Sequence, residues 1–330
     1  MVPTDAKLIE NVFETEKLEK GSTRDGFGKG VVEAGEKDER VVVLCADLAE
    51  STRAEWFQKR FPKRYIELGV AEQNLATVAS GLAAYGKIPF ITSYAAFSPG
   101  RNNEQIRTTI SLNNVPVKIC GMHAGVSVGP DGATHQQLED IALMRVQPNM
   151  TVICPADVEE GRKATIAAAA YPHPVYLRFS RANTPIFTTT ETPFEIGKAY
   201  EVWRDENPQA AIIATGALLY NALCAARELS EAGTPTVVLN LHTIKPLDIE
   251  KILSLAQECG AIVTVEEHQI AGGMGSAVTE VLSANLPTPI EFIGMHDSFG
   301  QSGEPDELIE HYRMGVSHIK KAVSKVISRK

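Results

Sequence analysis

Short runs of β-branched residues alternate with helix-like segments along this chain, and that alternation constrains the fold more than any other feature. Val41-Val42-Val43-Leu44 precedes a helical pattern at 51–61, Ile88-Pro89-Phe90-Ile91 precedes one at 98–112, and Val117-Lys118-Ile119-Cys120 precedes a glycine-rich loop. Thr151-Val152-Ile153-Cys154, a helix over about 157–170 and Val175-Tyr176-Leu177-Arg178 continue the series. Strands separated by crossover helices run parallel in one sheet, with helices covering both faces.

The pattern lapses between Thr184 and Pro193, where proline and threonine are enriched, and this stretch reads as a linker. A second series follows: Ala211-Ile212-Ile213-Ala214, a helix near 218–232, Thr236-Val237-Val238-Leu239, and Ala261-Ile262-Val263-Thr264. At 330 residues the chain exceeds the usual size of one core. The expectation is two α/β domains, residues 1–190 and 191–330, each a three-layer α/β/α sandwich.

A hydrophobic content of 44% and a charged content of 22% are ordinary for a globular protein, and the net charge of −9 gives no electrostatic reason to expect nucleic acid. No apolar run is long enough to cross a bilayer, and the mixed-charge segment Met1–Lys20 reads as a surface helix or arm. Cys45, Cys120, Cys154, Cys224 and Cys259 include no CxxC pair, so neither a disulfide framework nor a cysteine zinc site is expected. A reducing cytoplasm is the setting this suits.

In open parallel sheets ligands collect beyond the carboxyl ends of the strands. Asp47, Glu72, Tyr94, His123 and Arg181 all follow predicted strands at that edge. In Arg64-Tyr65-Ile66-Glu67-Leu68-Gly69-Val70-Ala71-Glu72-Gln73-Asn74 a strand breaks at Gly69 into a helix, and Glu72 falls in the first helical turn. Acidic residues favour that position for the helix dipole alone. A buried carboxylate there is also placed to protonate a ring nitrogen.

Residues 64–97 resemble the pyrimidine-binding domain of thiamine-diphosphate enzymes of the transketolase superfamily, through the GVAEQN segment that contains Glu72. The resemblance implies that Glu72 hydrogen-bonds the aminopyrimidine of thiamine diphosphate, that Tyr94 and Phe97 of Thr92-Ser93-Tyr94-Ala95-Ala96-Phe97 enclose it, and that Asp47 of the Ala46-Asp47-Leu48 motif helps to order it. It further implies that Arg24, Ser51 and the arginine of Ser180-Arg181 contact sugar phosphate, with Arg178 the competing arginine in that segment.

Gly121-Met122-His123 and Asp131-Gly132-Ala133-Thr134-His135 lie in a loop dense in glycine and polar residues. By the same resemblance His123 contacts phosphate and substrate, Asp131 reads a donor hydroxyl, and His135 meets the reacting carbonyl oxygen. The spacing of the two histidines fits no zinc-ligand pattern, and no metal site is expected within the chain.

The chain has no Gly-Asp-Gly segment followed by paired asparagines, the device by which this family holds Mg²⁺ and the cofactor diphosphate. The resemblance therefore implies one subunit of a two-chain transketolase, completed by a partner that carries the diphosphate-binding domain, in an α2β2 assembly acting on sugar phosphates. Three alternatives stand beside it: a 1-deoxyxylulose-5-phosphate synthase-like subunit, which usually has aspartate and arginine in place of Met122-His123; a 2-oxoacid dehydrogenase β-type subunit, whose donor carries no phosphate; and a non-catalytic transketolase-like binding subunit.

Overall fold

Along Val41–Cys45 successive side chains enter different apolar clusters, Val42 and Leu44 on one face and Val41, Val43 and Cys45 on the other. This is how a strand covered by helices on both sides must distribute its residues. In the computed structural model, which describes residues 1–330, that strand belongs to a seven-stranded sheet. From edge to edge the strands are Thr243–Lys245, Thr151–Ile153, Val175–Arg178, Lys118–Met122, Ile88–Tyr94, Val41–Cys45 and Tyr65–Glu67. All neighbours are parallel except Thr243–Lys245, which pairs antiparallel with Thr151–Ile153.

A second sheet of five strands runs Ile290–Met295, Ile262–Gln269, Ala210–Ala214, Thr236–Asn240 and Tyr200–Arg204, the last antiparallel to its neighbour. Both sheets are flanked by helices, giving two α/β units with sheets between helical layers. Their cores are not independent. One apolar cluster joins Leu44, Ile91 and Ile119 of the first sheet to Ile213, Leu239 and Ile262 of the second. The edge strand Thr243–Lys245 is supplied to the first sheet by the later half of the sequence. The N-terminal arm forms two single-turn 3₁₀ helices rather than an α-helix, and it packs on the second unit: Phe13 meets Trp203 edge-on at 5.7 Å, and Tyr220 Oη donates to Val12 O at 3.0 Å.

Two predicted helices are shorter than their sequence patterns. Ala54–Arg60 starts three residues late because Arg53 takes a left-handed conformation (φ 65°). In the 98–112 segment Pro99 and Gly100 hold residues 98–102 in turns, the helix begins at Asn103–Gln105, and Ile106–Ser111 continues it with π-helical geometry. The linker Thr184–Pro193 is ordered by hydrogen bonds, its Phe187 and Thr188 amides both donating to the buried Asp157 carboxylate. All five cysteines are free, and no helix is long and apolar enough to cross a membrane.

Helix Thr23–Lys37 lies so close to Val158–Ala170 that a Cβ at Gly26 or Gly30 would strike the other helix's backbone. Its first turn is a capping box in which Ser22 Oγ accepts from Arg24 N (3.3 Å) and Asp25 Oδ2 accepts from Ser22 N (3.2 Å). Ser22 Oγ also donates to Ser180 O (3.0 Å), and Ser180 N donates to Thr23 Oγ1 (2.7 Å). The start of this helix is thereby clamped to the end of strand Val175–Arg178, which sets Arg24 beside the segment that carries Arg181.

His242, fully buried and stacked on Phe194 at 4.3 Å, has its pKa lowered by burial from 6.5 to about 3. Between those values the unfolded chain takes up a proton that the folded chain refuses, so the folded state loses up to about 1.4 kcal/mol per pH unit as pH falls. His242→Gln is expected to unfold at nearly the same urea concentration as the parent at pH 7 and at a higher one at pH 5. Equal displacement at both pH values would contradict this.

Candidate active site

Because its inner strands are parallel, the first sheet delivers its candidate residues to one edge. The chain leaves Val41–Cys45 for Tyr65–Glu67 on one side and reaches Ile88–Tyr94 on the other. The crevice expected at such a reversal lies beyond Cys45 and Tyr94. Tyr94 ends its strand, and His123 directly follows Lys118–Met122 in a left-handed conformation (φ 56°).

Four rings meet at this edge. Tyr94 stacks on His123 (centroids 4.1 Å apart, planes at 24°) and on Phe97 (6.0 Å, 26°), while His135 presents its edge to Tyr94 at 6.0 Å and to Phe97 at 5.4 Å. These are the offset and edge-on arrangements that aromatic quadrupoles favour. The Arg101 guanidinium lies over Phe97, 4.6 Å from its centroid, and its Nη1 is 2.7 Å from Glu72 Oε2.

Glu72 opens helix Glu72–Ala84 and is 2% exposed. Asn102 Nδ2 donates to its backbone carbonyl at 2.9 Å, fixing this helix start to the turn after Phe97. Gly69 takes a positive φ of 67° with open space around it, so it serves the sharp entry into the helix rather than a tight packing contact. Glu67 braces the same corner, its Oε1 accepting from Asp47 N (2.8 Å) and Gly69 N (2.9 Å) and its Oε2 from Tyr65 Oη (2.6 Å).

Arg24 Nη1 donates to Ser51 O at 2.7 Å and lies 2.8 Å from His123 Nε2. An arginine only donates, so His123 Nε2 accepts and the ring hydrogen sits on Nδ1, which is buried without a partner. Burial, reinforced by Arg24 and Arg181, lowers the His123 pKa to about 3, so the ring stays neutral near pH 7. Burial and the neighbouring Arg53 also lower the Arg24 pKa. Arg53 is neutralised by Asp25 at 2.7 Å, whereas Arg24 and Arg181 spend their hydrogen bonds on neutral groups, Arg181 Nη1 donating to Val128 O at 2.8 Å. Arg24, in contact with the ring, and Arg181, whose charge also acts on it, thus both lack a carboxylate partner, the electrostatic condition for binding an anion.

The structure separates the two arginines of the 178–181 segment. Arg178 is buried and spent on Asp140 (2.7 Å), while Arg181 is half-buried at the site. Ser51 takes part through its carbonyl, and it does not cap the following helix, whose N-cap is Arg53. Asp47 and Asp131 are exposed, and neither side chain bonds to the ring cluster. No group of three or more His, Cys, Asp or Glu side chains is arranged to hold a metal ion. A cavity of about 550 Å³ lies at the opposite, amino ends of the strands beside Ile88 and Tyr171 and shares no residue with the cluster.

Residues that the sequence reading missed are Arg101, Asn102 and Glu67. The signal available for Arg101 was its place four residues beyond Phe97, across a Pro-Gly turn.

Residues 19–186 match the family model for the transketolase pyrimidine-binding domain, and residues 197–319 match that for the transketolase C-terminal domain. A putative transketolase C-terminal section from Methanocaldococcus jannaschii is 43% identical over 91% of this chain and 94% of its own length. A 6-deoxy-6-sulfo-D-fructose transketolase subunit from a Clostridium species is 38% identical over 95% and 97%. Against longer relatives such as transketolase-like protein 2 of Mus musculus, 36% identical over 93% of this chain, the match spans 49% of the relative. A solved structure described as a split-gene transketolase in an inactive β4 tetramer superposes with a TM-score of 0.87 at 41% identity, over 93% of this chain and 98% of that one. Transketolase from Campylobacter jejuni shares the fold at 22% identity and a TM-score of 0.77, over 94% of this chain and 47% of that one. The chain belongs to the transketolase family of thiamine-diphosphate enzymes and corresponds to the C-terminal subunit of its split, two-chain members.

Proposed function

We propose that this chain is the pyrimidine-binding half of a transketolase that moves a two-carbon ketol unit from a ketose phosphate, such as xylulose 5-phosphate, to an aldose phosphate. The observation that carries the reading is the joining of two features at one edge: Arg24 and Arg181, without carboxylate partners, around neutral His123, and a buried Glu72 linked through Arg101 to the same rings. A 2-oxoacid donor has no phosphate for those arginines.

The residues fit one half of thiamine diphosphate. Glu72 would hold the proton at a pyrimidine nitrogen, Tyr94 and Phe97 would enclose that ring, and Asp47 would help to order it. When bound, the cofactor supplies the electron sink needed to break and remake a carbon–carbon bond beside a carbonyl. Arg24, with the Ser51 carbonyl orienting it, and Arg181 grip the sugar phosphate. His123 contacts phosphate and substrate, His135 donates to the oxygen where negative charge develops, and Asp131 reads a donor hydroxyl.

Mg²⁺ and the diphosphate fall to a partner subunit carrying the diphosphate-binding domain, in an α2β2 complex. The inactive β4 tetramer of the split-gene relative supports self-association of such subunits and their dependence on the other chain. Relatives named for sulfofructose and for apulose 4-phosphate leave the sugar open, so xylulose 5-phosphate is the first donor to try. The free cysteines support a reducing, cytoplasmic setting. The domain division belongs near residue 190, between the two family matches.

Isothermal titration of thiamine diphosphate with Mg²⁺ tests the half-site. Weak or no binding to the chain alone and binding at least about a hundredfold tighter to the two-chain mixture are expected, since the diphosphate carries most of the cofactor's charge. Equally tight binding by the chain alone would remove the need for a partner.

A further inference from the structure

The loop that runs from His123 to Gln137 carries three of the candidate substrate contacts, yet it is braced by the other half of the chain. Glu267, in strand Ile262–Gln269 of the second sheet, is 5% exposed and reaches across the boundary between the two units. Its Oε1 accepts from Ser127 N at 2.6 Å and its Oε2 from Ser127 Oγ at 3.1 Å. Gly125 sits directly on this carboxylate with φ 90°, and a Cβ there would run into it.

The 3₁₀ turn held in this way is Val126–Val128, with positive-φ glycines, Gly125 and Gly129, at its two ends. Its last carbonyl, Val128 O, is the acceptor for Arg181 Nη1 at 2.8 Å. Gln136 Nε2 adds a second tie, donating to Val126 O (3.0 Å) and to Gln301 O (2.9 Å) of the C-terminal unit. A turn flanked by two glycines has little stiffness of its own, so its orientation is set by whatever holds its amides. Here that is a carboxylate placed by the C-terminal unit.

We infer that Glu267 is a positioning residue that fixes the Val126–Val128 turn and, through the Val128 carbonyl, aims Arg181, so that the C-terminal unit sets the enzyme's affinity for phosphorylated over non-phosphorylated sugars. This rests on the reading of Arg181 as a phosphate-gripping residue. Glu267 touches neither substrate nor cofactor in this account. It acts through the backbone of residues 127 and 128, and the effect it governs is selective because only a substrate with a phosphate uses the arginine it aims. Glutamine should serve almost as well, since its carbonyl accepts from Ser127 N and its amide donates to Ser127 Oγ.

The test uses the two-chain complex loaded with thiamine diphosphate and Mg²⁺, a fixed saturating donor without a phosphate, xylulose, and two acceptors, ribose 5-phosphate and glycolaldehyde. Arg181→Ala is expected to raise KM for ribose 5-phosphate without a matching change for glycolaldehyde; if it affects both equally, the reading of Arg181 fails and this inference falls with it. Given a selective Arg181→Ala, Glu267→Ala should raise KM for ribose 5-phosphate by about tenfold with kcat within about twofold, the scale of one or two lost hydrogen bonds, and leave glycolaldehyde unchanged. Glu267→Gln should return KM to near the parent value. An unchanged KM in Glu267→Ala, or equal losses with both acceptors, overturns the assignment. Should Glu267→Ala not assemble, Ser127→Ala deletes only the hydroxyl contact, and a selective rise of about two- to threefold is expected. Its absence overturns the assignment equally.

Discussion

Glu72→Ala in the assembled two-chain enzyme is expected to lower kcat by about two to four orders of magnitude, the usual weight of a positioned proton-transfer group. The fold should survive the change. Glu72 is buried, but its one ion-pair partner, Arg101, is 48% exposed and can return to water, so no charge is stranded when the carboxylate is removed. The Asn102 bond that pins the helix start goes to the Glu72 backbone carbonyl and is kept. Urea unfolding of the variant should therefore lie within about 1 kcal/mol of the parent. Retention of more than about a tenth of the parent kcat would remove Glu72 from the chemistry. It would also favour a binding subunit that has kept the fold without the reaction.

The second large effect is on stability. Arg178 and Asp140, 6% and 0% exposed, form an ion pair at 2.7 Å, and Tyr176 Oη donates to the same carboxylate oxygen at 2.6 Å. Arg178 Nη2 also donates to the backbone carbonyl of Glu267 at 2.8 Å, so the pair bonds the first sheet to a helix and to the second sheet at once. Arg178→Met strands the Asp140 carboxylate in a dry environment, and a loss of about 3–5 kcal/mol is expected from urea unfolding. Adding Asp140→Leu should recover part of that loss, because two apolar side chains leave no charge unpaired. If Arg178→Met cost less than about 1 kcal/mol, the pair would not be holding the units together.

How much of this was legible in the sequence follows from the range over which each feature is encoded. The parallel sheet was readable because alternation is local: Val41–Cys45 needs only its own five residues to declare two buried faces. The parallel arrangement then placed Tyr94, His123 and Arg181 at one edge before any contact was known. Local breaks were harder. Left-handed Arg53 and the Pro99-Gly100 turn trimmed two helices whose apolar patterns ran on past their hydrogen-bonded ends. Long-range features were not legible at all. The antiparallel strand Thr243–Lys245 joins a sheet whose other strands end at Arg178, and Glu267 meets Ser127 across 140 positions of sequence.

The site divides in the same way. Residue types and their order made Glu72, His123 and His135 conspicuous, whereas the stacking of Tyr94 on His123 and the convergence of Arg24 with Arg181 depend on how strand ends and helix starts meet in space. Arg101 was missed because its carboxylate partner, Glu72, lies 29 residues away in sequence.

The most direct test of the account is transfer by the two-chain mixture. This chain is combined with the diphosphate-binding subunit, thiamine diphosphate and Mg²⁺, and supplied with xylulose 5-phosphate and ribose 5-phosphate, with pyruvate as a parallel donor. Sedoheptulose 7-phosphate formed by the mixture and by neither chain alone is the predicted result. Consumption of pyruvate in place of the ketose phosphate would contradict the account and move the subunit to the synthase or dehydrogenase branch.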